Sequence, residues 1–464
     1  MGILARAELL LQAKNYSGSG DWLDETNSHD AQLGSTSGAD TNDPLFLSYT
    51  GIQYVHLPGV SSNYISTPDA AALDITGDIW IAGRFAMTDW TPSSDQTLIA
   101  KFTGTGDERS YRFMVDTLGP LRLQWSTDGT SGNVVTSNST TAPTVTNGEK
   151  LWVAATLDVS SGDVKFYVGG IDPTPLWTQL GTTVSGAGAT SIHSGSGVLE
   201  IGTDNTGTAQ LFIGEIYNVQ IENGYDEGVG TLQFDADFTD VNTVIEPFAT
   251  FTEASSNAAT VTINRTSTGR KSTVVDRDMF LLATDDYFEI PDDANLDFAG
   301  GDDFTVLVSG RSYSTTTEND VLVAKAVEIN ATDVGYALYR ISAGFFRSRI
   351  MDSGVAITDD TSSLTDGQSF IHALVRNTTD DDVEAFLDGT GSGSASGDTT
   401  TLTLANAEVF RIGRLSGAGT KNFDGEIHAV VLWREALSDA DVAAAGVELL
   451  QIDFNSLLLL GVGT

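Results

Sequence analysis

Tyr64-Ile-Ser-Thr-Pro-Asp-Ala-Ala-Ala-Leu-Asp74 returns later in the chain as Tyr287-Phe-Glu-Ile-Pro-Asp-Asp-Ala-Asn-Leu-Asp297. The stretch does not return alone. Thr97-Leu-Ile-Ala-Lys101 is answered by Val321-Leu-Val-Ala-Lys325, and Val164-Lys-Phe-Tyr-Val-Gly-Gly170 by Val383-Glu-Ala-Phe-Leu-Asp-Gly389. Ile201-Gly202 before Gly214-Glu-Ile216 is answered by Ile412-Gly413 before Gly425-Glu-Ile427. The pairs keep their order, and their spacing drifts only from about 224 to about 211 residues, as loop insertions would cause. Even the opening Leu9-Leu-Leu-Gln12 has a loose counterpart in Leu232-Gln-Phe-Asp235. The chain is a tandem repeat.

Inside each repeat the apolar period is two. Ile79-Trp-Ile-Ala-Gly-Arg-Phe85, Tyr111-Arg-Phe-Met-Val115, Leu121-Arg-Leu-Gln-Trp125 and Leu151-Trp-Val-Ala-Ala-Thr-Leu157 read as strands in the first repeat. Phe304 to Arg311, Tyr336 to Ile341 and Phe370 to Val375 read the same way in the second. Each run is β-branched or aromatic and is bounded by Gly, Asp, Asn or Ser. One helix is expected, from Ser438 to Leu450, with Ser438 and Asp441 resembling a capping box. The expected class is all-β: two tandem antiparallel β-sandwich (jelly-roll) domains. Turn chemistry at Asn223-Gly-Tyr-Asp-Glu-Gly-Val-Gly230 places the boundary there, giving domains 1–225 and 226–450 and a C-terminal tail 451–464.

The 464 residues carry 63 Asp+Glu against 23 Lys+Arg, a formal net charge of −40. That field repels nucleic-acid backbones and anionic membrane surfaces, so neither is an expected partner. There is no cysteine, which removes disulfides, thiolate metal sites and a thiol nucleophile. Arg6 and Glu8 interrupt the first apolar run, so no export signal is expected, and Leu457-Leu-Leu-Leu460 is too short to span a bilayer.

Each repeat resembles the concanavalin A-like lectin/glucanase superfamily, in its laminin-G-like or pentraxin-like branch. The resemblance rests on the Tyr…Pro-Asp…Leu-Asp strand end, on the Gly-x-Ile strand after an Ile-Gly turn, and on Leu432-Trp-Arg-Glu-Ala-Leu-Ser-Asp-Ala-Asp-Val442. This last segment is similar to the family's closing strand-to-helix motif. The first repeat departs there, with Val219-Gln-Ile-Glu-Asn-Gly-Tyr225. The opening from Leu9 to Ala31, with Trp22 and His29, is similar to tandem sandwich proteins of environmental tailed bacteriophages. The resemblance implies a non-enzymatic virion structural or adhesive protein: a fibre, tail-associated or head-decoration component, assembled in the host cytoplasm. Its partners would be other virion proteins, further copies of itself, or a host-surface glycan. The alternative is a pair of carbohydrate-binding modules from an extracellular or cell-surface protein; a glycoside hydrolase ranks last.

Relatives on this fold hydrolyse β-glucans with two carboxylates on one strand face, as retaining chemistry requires. No run here has that Glu-x-Asp-x-Glu spacing; Asp380-Asp-Asp-Val-Glu384 reads as a solvated turn before a strand. None of the five histidines (His29, His56, His193, His372, His428) adjoins a nucleophile elbow. No catalytic residue is therefore expected. The resemblance implies two kinds of binding residue. Calcium, the one cofactor the loops could hold, would use Asp69, Asp74, Asp204 and Asn205 in the first domain and Asp292, Asp293 and Asp297 in the second. Sugar rings would stack on Trp90, Trp125 and Trp177, which lie near loop chemistry, whereas Trp80 and Trp152 read as core.

Overall fold

The computed structural model describes residues 2–451 except 27–28, 171–174, 187, 227–228, 241–243, 245–249, 268, 284, 314–319, 342–343, 394–395, 398–401, 416 and 418–420. The Leu457–Leu460 run and the rest of the expected tail beyond 451 therefore lie outside the described residues. Short antiparallel strands fill both repeats, and the only α-helix among the described residues is Asp439–Gln451. Ser438 opens that helix as its sequence suggests, its Oγ accepting the Asp441 N–H at 3.2 Å. No helix among the described residues is long and apolar enough to cross a membrane.

The strands form two compact units, each a sandwich of two sheets. One unit holds Ile52–Thr266 and Lys271–Asp276. Its first sheet runs Trp177–Gln179, Asp163–Gly169, Lys150–Asp158, Ile79–Met87, Ile213–Glu222, Tyr54–Pro58 and Thr273–Val275, with Leu232–Asp237 also paired to Ile213–Glu222. The facing sheet centres on Glu108–Val115, Gln96–Thr103, Leu199–Ile201 and Tyr64–Thr67. Period two puts Ile79, Ile81 and Phe85 on the inner face of the first sheet, packed against Leu98, Phe113 and Ile201 of the second.

The other unit holds the described residues up to Gly51, Ser267–Arg270 and Arg277 onward. Its first strand is Leu9–Gln12, which pairs with Gly425–Trp433 through Leu9↔Leu432 and Gln12↔Ala429. Gln32–Leu33 and Leu45–Leu47 likewise pair with Phe288–Ile290 and Met279–Leu282. The division differs from the expected 1–225 and 226–450. The first sandwich, Ile52–Thr266 with Lys271–Asp276, is instead inserted in the chain between the N-terminal arm and the body of the second. The loose match of Leu9 with Leu232 has a structural counterpart, since Leu232–Asp237 pairs with Ile213–Glu222 as Leu9–Gln12 pairs with Gly425–Trp433. Turn residues mark where a chain bends; they do not say which sheet the next strand joins.

A further element distinguishes the units. In the second, the outer face of the Phe304–Ser312, Ser369–Asn377 and Gly425–Trp433 strands carries Leu307, Ala373, Val431 and Trp433. This face is buried under Ile3, Leu4, Leu437, Val442 and Ala445. The Trp433 indole N–H donates to the Ile3 carbonyl at 3.1 Å. In the first unit no described helix covers the corresponding face.

Candidate functional site

That uncovered face is built on four neighbouring strands: Trp177–Gln179, Asp163–Gly169, Lys150–Asp158 and Ile79–Met87. Register sets Ala154 opposite Ala82 and Tyr167, and Gly169 opposite both Trp152 and Trp177. The small residues leave space that indoles fill. Trp80 lies 5.2 Å from the Tyr167 ring and 5.3 Å from Trp177, edge to face, and Trp152 lies 6.0 Å from Trp177. Trp80 and Trp152 are buried beneath, while Trp177 and Tyr167 are half-exposed and Leu176 beside them is 85 % exposed. A side chain at Gly169 would collide with Pro175 and crowd the Trp152 Cβ, which favours glycine there. The buried indole N–H groups of Trp152 and Trp177 have no acceptor among the described residues. At the margin the Lys165 ammonium sits 4.6 Å over the Tyr225 ring.

The structure separates the three sugar-stacking candidates. Trp90 is 2 % exposed inside the main core and its indole donates to the Glu149 carbonyl at 3.2 Å. Trp125 is fully buried there, bonded to Thr190 Oγ1 at 3.1 Å. Neither can reach a ligand, because proximity to turn residues in sequence says nothing about which face of the sheet a side chain takes. Trp177 lies on the outer face. Trp80 and Trp152, expected in the core, are buried as expected, Trp80 in a small cluster with Ala82 and Ala154 against which Trp177 packs.

The calcium candidates are also redistributed. Lys101 is fully buried, and its ammonium lies 2.7 Å from Asp69 and 3.1 Å from Asp74 and donates to the Gly195 carbonyl. Lys325 repeats the arrangement in the second sandwich, 2.8 Å from Asp292 and 2.8 Å from Asp297, and bonded to the Asn406 carbonyl at 2.9 Å. The recurring Pro-Asp…Leu-Asp and Ala-Lys segments are thus two halves of one ion cluster. Calcium is corrected at these four carboxylates, because a covalently attached cation takes the position it would need. Asp204 pairs with Arg112, and Asn205 Oδ1 accepts the Gly104 N–H at 3.4 Å. Asp293 caps the Ala294–Leu296 turn through the Asn295 N–H (2.8 Å) and lies 3.5 Å from His29. Among the described residues no three His, Asp or Glu side chains converge as a metal cage.

Sequence reading passed over two further buried groups. Glu200, on Leu199–Ile201, is fully buried; Oε1 accepts the Gly207 N–H at 2.9 Å and Oε2 has no hydrogen-bond partner among the described residues. Burial pushes its carboxyl up to about 7. In the second sandwich Glu426 is buried between Arg311 (2.9 Å), His428 (3.2 Å) and the Tyr313 hydroxyl. Burial lowers the His428 imidazole, and burial holds His372 near 4. Both histidines are packed groups.

Residues 282–443 match the concanavalin A-like lectin/glucanases superfamily. The matched span lies in the second sandwich and includes the closing Leu432-Trp-Arg segment. No curated protein matches the chain. Among solved structures the chain is similar to the Ruminococcus gnavus IT-sialidase CBM40 bound to alpha2,3 sialyllactose. The TM-score is 0.28 at 19 % identity, over 31 % of this chain and 83 % of that one. It is also similar to domains LG4-5 of the mouse laminin alpha1 chain, with TM-score 0.30 and 12 % identity over 86 % and 94 % of the two chains. A third is the binding domain of botulinum neurotoxin serotype G, with TM-score 0.31 and 9 % identity over 38 % and 43 %.

Proposed function

We propose that the protein is a non-enzymatic adhesive component whose first sandwich holds a glycan at the half-exposed Trp177. The observation that carries this reading is the half-exposed Trp177. It stands at the edge of a packed indole cluster, on the sheet face whose counterpart in the second sandwich is covered by a helix. A half-exposed indole with the exposed Leu176 beside it suits the apolar face of a pyranose ring. The superfamily match over 282–443 supports a lectin-like scaffold. Glycan-array screening followed by calorimetry tests the reading. Trp177→Ala is expected to weaken the best glycan about tenfold or more, in the range of aromatic hot-spot losses. An array with no binder, or equal affinity in the variant, would sink it.

The setting we propose is the surface of a phage-like particle, with other particle proteins or further copies as partners. It is supported by the similarity of the Leu9–Ala31 opening to phage sandwich proteins and by a −40 charge that keeps unassembled copies apart. Mass spectrometry of purified particles decides it. Presence at high copy number is expected; absence from particles and recovery only from culture supernatant would leave the extracellular carbohydrate-binding module in its place.

A further inference from the structure

The N-terminal arm encloses a cleft of about 460 Å³ within the second unit. That is within the roughly 300–1,000 Å³ typical of small-ligand sites. Its floor is apolar: Tyr16, Leu33, Leu45 and Phe46 are all half-buried, and Tyr16 packs edge-on against Phe46 at 5.0 Å. Its walls are two Gly/Ser loops, 17–21 and 34–39. The loops are knitted from within, Asp40 Oδ2 accepting the Ser35 N–H (3.1 Å) and hydroxyl (2.7 Å), and the Tyr16 hydroxyl donating to the Gly20 carbonyl (3.0 Å). A half-exposed aromatic floor kept open by braced loops is a place for a ring.

The charge at the cleft is one-sided. Asp21 and Asp43 line it and no Lys, Arg or His does. Asp43 Oδ2 accepts the Asp40 N–H at 3.0 Å, while Oδ1 is buried with no donor among the described residues. Arg270 bonds the Asp43 backbone carbonyl (2.6 Å) and pairs with Asp286 (3.3 Å). The Tyr16 hydroxyl titrates above its ordinary value, through burial first and then the fields of Asp43 and Asp21. Anionic ligands are disfavoured here, and a cation above Tyr16 and Phe46 gains from ring and carboxylate together.

We infer that this cleft binds a sugar ring carrying a free ammonium, a hexosamine-type residue. It shares with the proposed function only the class of ligand, a glycan, and stands on a different unit and different residues.

Calorimetry on the full chain tests it, at about 0.15 M salt, where the bulk charge is screened beyond ~8 Å. The probes are a β-1,4-linked glucosamine tetramer, its N-acetylated form, cellotetraose and spermidine. The glucosamine tetramer is expected to bind, and the other three about tenfold or more weakly. Ala39→Trp, which fills the cleft from an exposed wall position without touching the floor, is expected to abolish binding. Asp21→Asn is expected to weaken it about threefold, as for one exposed charge. Trp177→Ala should leave it intact, which separates this site from the aromatic face. The inference is overturned if Ala39→Trp or Asp21→Asn binds like wild type, if any other probe equals the glucosamine tetramer, or if Trp177→Ala abolishes binding.

Discussion

Lys101 and Lys325 show how much one side chain can redirect. Five-residue segments ending in Ala-Lys look like ordinary strands, and clustered Asp residues look like a cation site; folded together they satisfy each other. Lys325→Met should therefore lower stability by about 2–3 kcal/mol, less than for a fully enclosed pair because the Asp292 side chain is 42 % exposed and screened. Chelator should leave the melting temperature of the wild type unchanged, and a rise on adding calcium would contradict this account. Glu200 supplies a pH dependence. Its folded value of about 7 lies above the ordinary 4.5, so its contribution is fully present below pH 4.5 and is lost as pH rises through 7. The loss should total about 3 kcal/mol. Glu200→Gln, which keeps an acceptor for the Gly207 N–H, should flatten that part of the stability profile and exceed the wild type above pH 7. Denaturant melts from pH 5 to 9 would read it, and parallel profiles would refute it.

Strand placement carries the next consequence. Ile213–Glu222 and Leu232–Asp237 sit side by side in one sheet, so the turn between them joins neighbours and does not separate domains. Residues 52–276 expressed alone should melt cooperatively as a β protein. Residues 277–451 alone should not, because Leu9, Leu11 and Trp22 of the arm are part of that core. Supplying 1–51 in trans should restore the transition; a cooperative melt of 277–451 without it would count against the insertion. The helix Asp439–Gln451 acts likewise, as its Val442 and Ala445 cover the outer face that carries Val431 and Trp433. Val442→Asp should cost about 2–4 kcal/mol, a charge buried without a partner, with the loss confined to the second transition.

For the whole molecule, net charge sets the background. With −40 on 464 residues, self-repulsion opposes the compact state most at low ionic strength. Raising salt from about 0.01 M to about 0.15 M shortens the Debye length from ~30 Å to ~8 Å and should raise the melting temperature by a few degrees. A fall would mean that surface ion pairs outweigh the repulsion.

The sequence by itself determined the class and the repeat. Alternating apolar residues bounded by turn formers have one stable use, a half-buried strand, and segments in the same order build the same sandwich twice; the Ser438 helix was legible for the same local reason. It also excluded cysteine chemistry, since absent cysteines need no fold to interpret. Tertiary structure alone decided which strands share a sheet, which face each indole takes, and what each carboxylate meets. Trp90 and Trp177 both sit beside turns, yet one is core and the other surface, and Asp69 meets Lys101 across 32 positions of chain. Local preference is a property of a few neighbouring residues. Pairing, facing and charge compensation are settled between segments far apart in sequence, by which arrangement buries the most apolar surface while leaving the fewest charges alone.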